Sequence, residues 1–125
     1  MAAFGPATGP EDVVITAGAM DAITLALRVL CKPGDTVLVE SPTYYGLLQA
    51  IEYAGLRVVE VANRPVEGID VEAVRQAVKS TRLAAAILMP NFNNPVGSLT
   101  CDENKQALVD SLTGAGIPIV EDDVH

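Results

Sequence analysis

Five short apolar runs punctuate this chain, at 13–16 (VVIT), 36–40 (TVLVE), 57–61 (RVVEV), 83–89 (LAAAILM) and 117–120 (IPIV). Between them the apolar residues recur at helical spacing, as in Met20, Ile23, Leu27 and Leu30 or Val71, Val74 and Val78. This alternation constrains the fold more than any other feature. Each intervening stretch is long enough to carry the chain back to the same end of a sheet, so the strands read as parallel, with helices covering the faces. The expectation is an α/β fold with a mainly parallel sheet of five strands and four helices.

Local signals mark the boundaries. Lys32-Pro33-Gly34-Asp35 has Pro and Gly at the central positions of a type II turn. Leu47, Leu48 and Ile51 mark a helix that Gly55 can close, and residues 63–68 read as a polar connection. Asp70 is placed to cap a helix. Thr100-Cys101-Asp102-Glu103 fits a capping box, opening a helix that turns Leu108, Val109 and Leu112 inward and ends at Gly114.

The 125 residues suit one domain, with irregular residues 1–10 at its start, and a hydrophobic content of 50% is ample for a core. Eight Lys and Arg against sixteen Asp and Glu give a net charge of −8, which repels a phosphate backbone and argues against direct binding of nucleic acid. Cys31 and Cys101 match neither metal-ligand nor disulfide spacing, so reduced thiols in a cytoplasmic setting are expected. The first ten residues lack the basic and apolar regions of a secretory signal, and no apolar stretch is long enough to span a bilayer.

In a parallel sheet, ligands gather beyond the carboxyl ends of the strands, and the chain places its chemistry-bearing residues there. Gly18, Ala19 and Met20 form a small-residue turn opening a helix, whose unpaired N–H groups suit a phosphate; an ordinary tight turn is the bland alternative. Tyr44 follows a strand and can stack on a flat heterocycle, whereas Tyr45 is expected to pack. Asn94, fixed by Pro95 and followed by Gly97, can donate its amide to a phenolate oxygen, or can serve a purely structural turn. Asp122, at the end of the last strand, can hold a proton on a pyridine nitrogen. A Mg²⁺ site built from Glu121, Asp122 and Asp123 is the rival reading, though it lacks a second acidic loop and a placed lysine.

The ordered phrases TAGAMDAI, KPGDTVLVESPTYYG, MPNFNNPVG and IVEDDVH resemble the large domain of fold-type I pyridoxal-phosphate enzymes, the aspartate aminotransferase superfamily. Within it, TAGAM, VANRPVEGID and EDDVH look most like the aminotransferase-like domain of MocR-type GntR-family transcriptional regulators. The resemblance implies pyridoxal 5′-phosphate as cofactor. It directs the Gly18, Ala19 and Met20 backbone to the phosphate, Tyr44 to the ring face, Asn94 to the phenolate and Asp122 to the pyridine nitrogen. His125 stands where the family usually has Tyr, and its imidazole could donate to the same phenolate. The resemblance also implies cis bonds at Ser41-Pro42 and Asn94-Pro95.

The family's Schiff-base lysine lies beyond the EDD segment. Lys32 reads as a turn residue, and Lys79 and Lys105 as exposed helix residues, so no catalytic residue is expected in this chain. The chain is thus expected to be a fragment of one large domain, with weak or no cofactor binding alone. The run at 13–16 should then lack its native neighbours, leaving the other four strands as the ordered sheet. The implied parent is a cytoplasmic homodimer that senses an amino acid or amine and reaches DNA only through a separate N-terminal winged helix. The alternatives are a fragment of a free-standing aminotransferase, or an isolated fragment that only packs or oligomerises.

Overall fold

The computed structural model describes residues 8–123. After a 3-10 turn at Pro10–Asp12, helix α1 (Ala19–Leu30) leads into strand β1 (Thr36–Ser41), helix α2 (Tyr45–Tyr53) and strand β2 (Arg57–Arg64). Strand β3 (Gly68–Ile69), helix α3 (Val71–Ser80), strand β4 (Ala85–Leu88), helix α4 (Asp102–Gly114) and strand β5 (Ile119–Glu121) follow. The sheet order is β3-β2-β1-β4-β5, parallel except for the β2–β3 pair.

The central strand β1 is apolar on both faces, as a strand covered on both sides must be. Val37 and Val39 point with Ala85 and Ile87 toward Ile23 and Leu27 of α1 and Leu47 and Ile51 of α2. Leu38 points the other way, with Ala86 and Leu88, onto Val74 and Ala77 of α3 and Leu108 and Leu112 of α4. Two cores therefore sandwich one sheet, each buried Leu or Ile contributing about 1.5–3 kcal/mol.

Several boundaries form as the sequence dictates. Lys32 O accepts from Asp35 N at 3.0 Å, with Gly34 at φ 93°, as the turn chemistry requires. The Asp70 carboxylate accepts from Ala73 N at 3.0 Å and caps α3. The Ser41-Pro42 and Asn94-Pro95 peptides are both cis.

Other expectations need correction. The run at 13–16, read among the five strands, forms none and stays outside the sheet, as the resemblance implied: Val13, Val14 and Ile15 lie exposed, Ile15 at 94%, and no described strand pairs with the run. Its β-branched residues favour extended backbone, but strand formation also needs a neighbour to bond with. The fifth strand is instead β3, in the stretch read as a polar connection, and it is antiparallel because β2 simply folds back on itself. Arg64 and Asp70 tie that hairpin at 3.5 Å.

Helix α4 begins where expected, but without a capping box. Cys101 is its N-cap and makes no side-chain cap bond, while Thr100 is buried with its Oγ1 accepting from Ile69 N at 3.4 Å. Thr100 also lies so close to Gly68 that any Cβ there would meet it, and Gly68 has φ 76°. Val109, expected to face inward, is exposed.

Among the described residues, no helix is long and apolar enough to cross a membrane. Both cysteines are free.

The topology fixes where a ligand can sit. From β1 the chain crosses by α2 to β2 on one side, whereas β4 and β5 lie on the other side of β1. The carboxyl ends of β1 and β4 thus flank the point where the winding reverses, the usual place for a binding crevice in such a sheet.

Candidate functional site

A cleft of about 470 Å³ opens at that point. Its wall includes Gly18, Ala19 and Met20 from the start of α1, Tyr44 from beyond β1, Asn94 from beyond β4 and Asp122 from beyond β5. These residues span more than a hundred positions of sequence yet share one concavity. Met89, Ala17 and Asp21 complete the wall.

Gly18 is the N-cap of α1 at φ 125°, ψ 173°, a conformation that side chains resist, and no side chain caps the helix there. The first-turn amides therefore face outward without intrahelical partners, at the positive end of a twelve-residue helix. Asp21 turns back to accept from Ala17 N at 2.9 Å, fixing the approach to the turn.

Tyr44 is the N-cap of α2 and its side chain stands partly exposed at 39%. Its ring lies over Gly46, where a Cβ would clash. Tyr45, expected to pack, is instead 71% exposed, its hydroxyl accepting from Gln49 at 3.1 Å. As the first residue of α2 it points away from both cores, so the helix phase selects Tyr44 for the cleft.

Asn94 sits in the loop 89–98, its backbone N–H directed at Met89 Sδ at 3.0 Å. Asp122 N donates to Leu88 O at 2.9 Å, extending the β4–β5 ladder by one residue and setting the half-buried Asp122 beside the cleft. His125 lies outside the described residues.

None of the three lysines lines this cleft. Lys105, expected on an exposed helix face, is half-buried, its Nζ donating to Asn91 Oδ1 at 2.6 Å while Asn91 donates to Asp123 at 3.3 Å. The acidic run at 121–123 does not assemble a metal centre: among the described residues no three His, Cys, Asp or Glu side chains are grouped to hold an ion.

Beneath the cleft is a carboxylate that the sequence reading passed over. Glu40, 2% exposed at the end of β1, accepts from Met89 N and from Asn63 Nδ2, each at 2.5 Å. Burial raises its pKa above the ordinary value and the nearby Asp122 charge adds to this. The hydrogen bonds from Met89 N–H and Asn63, and the nearby Asn93 amide, oppose it. The sequence signal was a charged residue closing an otherwise apolar run, TVLVE. Gly46 and Met89 were also missed, since their roles depend on what lies across from them.

The site suits a planar, phosphorylated heterocycle. Its volume is in the range of small-molecule pockets, and it offers an aromatic face, a side-chain amide, a carboxylate and an uncapped helix N-terminus. A family model described as aminotransferase class I and II matches residues 5–125. Among curated proteins, the chain is 40% identical over 121 residues to the "Uncharacterized HTH-type transcriptional regulator YjiR" of Escherichia coli, covering 97% of this chain and 26% of that protein. It is 35% identical to the 2-aminoadipate transaminase of Thermus thermophilus, over 93% of this chain and 29% of that one. Among solved structures, α-aminoadipate aminotransferase LysN from Thermus thermophilus, complexed with N-(5′-phosphopyridoxyl)-L-leucine, superposes with a TM-score of 0.80 at 34% identity. That match covers 85% of this chain and 27% of LysN. The chain thus spans roughly a quarter of the length of the curated relatives it matches.

Proposed function

This chain belongs to the class I and II aminotransferase family, a fold-type I, pyridoxal-phosphate-dependent group, and on that premise we propose that it is part of the amino-compound-sensing effector domain of a MocR-type, GntR-family transcriptional regulator. The observation that carries the reading is the single cleft shared by the α1 N-terminus, Tyr44, Asn94 and Asp122. The 40% identity to an HTH-type regulator supports the regulatory assignment.

When bound, pyridoxal phosphate supplies an electron-withdrawing ring that stabilises negative charge on the carbon beside a substrate nitrogen. In this reading the amides of Ala19 and Met20 take the phosphate, with Gly18 allowing close approach. Tyr44 covers one ring face. Asn94 donates to the ring oxygen, and Asp122 holds a proton on the ring nitrogen through a charge-assisted hydrogen bond. His125 is the proposed second donor to the ring oxygen.

In the proposed protein the effector domain is cytoplasmic and dimeric, and DNA is bound by a separate winged helix. The residues fit an enzyme equally well, and the 35% identity to a 2-aminoadipate transaminase favours a second reading, an amino-group transfer between an amino acid and a 2-oxo acid.

The test uses the complete polypeptide that carries this chain. Pyridoxal 5′-phosphate is added, and a visible absorption band that survives dialysis is expected, changing when the correct amino compound is supplied. Turnover then separates the two readings: an altered DNA affinity without accumulation of a 2-oxo acid fits the sensor. Steady formation of a 2-oxo acid, with no DNA binding, fits the enzyme. No band at any cofactor concentration sinks both.

A further inference from the structure

Glu40 belongs to none of the groups facing the cleft, yet it is a fully buried carboxylate directly beneath them. One of its oxygens accepts from the N–H of Met89, the first residue of the loop that carries Asn94. Its other oxygen accepts from Asn63 Nδ2, and Asn63 Oδ1 in turn accepts from the hydroxyl of Ser98, at the far end of the same loop. Asn63 and Ser98 are themselves buried. One carboxyl thus reaches both ends of the segment, with residues of β1 and β2 as the fixed frame.

The loop needs such a frame. Phe92 sits at φ 47°, in the left-handed region that a bulky side chain avoids. Asn93 is tied to Val96 N through its Oδ1 at 3.1 Å, but its buried Nδ2 completes no hydrogen bond among the described residues. Bonds within the loop, such as Asn93 N–H to Ser98 O at 3.0 Å, brace it in part, and the strained backbone at Phe92 still calls for a surrounding frame to hold that one shape.

We propose that Glu40 is a positioning residue for the cofactor site, clamping the loop 89–98 through Met89 N–H at one end and through Asn63 and Ser98 at the other, and so fixing the direction of Asn94. The proposal rests on the reading that Asn94 meets the cofactor. Glu40 itself touches no ligand; it limits how far the Asn94 amide can wander from its productive angle.

The test is made on the complete polypeptide, with pyridoxal 5′-phosphate as the probe and backbone amide exchange, measured without cofactor, as the second readout. Glu40→Ala is expected to weaken cofactor binding about tenfold, as loss of a supporting partner commonly does, and to speed exchange across 89–98. Glu40→Gln keeps an acceptor for Met89 N–H. If the Asn63 amide flips toward the new Nε2 and Ser98 reverses its hydroxyl, the chain of bonds survives, so binding should stay within about threefold of the parent. Ser98→Ala, which leaves Glu40 in place, should loosen only the far end of the loop.

The pairing with Asn94→Ala is the decisive arm. If Glu40 acts through Asn94, Glu40→Ala should cost less than about twofold once Asn94 is gone, rather than multiplying the loss. Multiplicative losses, or parent-like exchange at 89–98 in Glu40→Ala, overturn the clamp. Parent-like binding by Asn94→Ala would instead remove the reading of Asn94 as a cofactor contact, and the exchange data would still decide whether Glu40 holds the loop. Should Glu40→Ala fail to fold, Ser98→Ala and its pairing with Asn94→Ala decide the same question.

Discussion

The Tyr44 ring lies across Gly46, so that a Cβ at position 46 would sit 2.6 Å from Tyr44 Cε1 and 2.8 Å from its hydroxyl oxygen. Glycine inside the first turn of a helix normally costs stability, and here it makes room for an aromatic ring at the cleft. Gly46→Ala should therefore separate folding from binding. The intruding methyl meets the movable end of a side chain rather than backbone, so the ring swings aside. Thermal stability should hold or rise by up to about 1 kcal/mol, from the better helix former. Affinity for pyridoxal phosphate should fall roughly threefold to tenfold, the worth of one aromatic contact of about 0.5–1.5 kcal/mol. Calorimetry and cofactor titration check the pair of outcomes; unchanged affinity would mean that Tyr44 does not stack.

Gly18 gives a second test, because its constraint is in the backbone alone. Nothing lies within 4 Å of a Cβ built there, yet φ is 125°. Gly18→Ala has space but a conformation that is essentially open only to glycine, so the turn should relax toward negative φ at a cost of about 1–3 kcal/mol. That relaxation tilts the first amides of α1, and inorganic phosphate should then compete less well for the site. A variant with the parent's phosphate affinity would place the anion somewhere other than this helix end.

Much of this architecture was legible because its causes are local. The alternation Val37, Leu38, Val39 already states that β1 is covered on both faces, and each residue goes to the core that its parity assigns. The Asp70 cap and the turn at 32–35 need only neighbours within three positions. The strand-end rule also located Tyr44, Asn94 and Asp122, since the carboxyl ends of parallel strands meet at one edge.

Failures arose where a residue's partner is distant in sequence. Thr100 has a cap-like context, but its hydroxyl is taken by Ile69, thirty-one positions away. Asn63 looks like a loop residue until Glu40, twenty-three positions earlier, is set beside it. The run at 13–16 has the composition of a strand yet forms none, because composition does not supply a neighbour; only the resemblance pointed to that outcome.

Asp122 carries the clearest electrostatic prediction for the site. Asp122→Asn keeps the shape and removes the negative charge that would favour a protonated ring nitrogen. A charge-assisted hydrogen bond is worth about 1.5–3 kcal/mol, so binding should weaken on the order of tenfold to a hundredfold. The bound cofactor's absorption should also become pH-sensitive near neutrality, because the ring nitrogen would lose its proton more readily. Spectra recorded across a pH series test this; a spectrum as insensitive to pH as the parent's would place the ring nitrogen away from Asp122.

Glu40 makes the stability of the protein depend on pH in a direction opposite to that of an ordinary salt-bridged carboxylate. Burial, reinforced by the Asp122 charge, holds its folded pKa above the unfolded reference of 4.5, despite the donors that oppose this. Well below 4.5 the group is protonated in both states and contributes no penalty. As pH rises through the folded value, the unfolded chain ionises first and the folded state falls behind, by about 1.4 kcal/mol for each unit separating the two values. Other carboxylates titrate over the same range, so the informative quantity is the difference between the parent and Glu40→Gln. In urea unfolding at a series of pH values, the parent should lose stability relative to Glu40→Gln as pH climbs from 4.5, then run parallel to it above the folded pKa. A difference that stays constant would return this carboxyl to its ordinary pKa; one that grows in the parent's favour would mean that the Met89 and Asn63 donors outweigh burial.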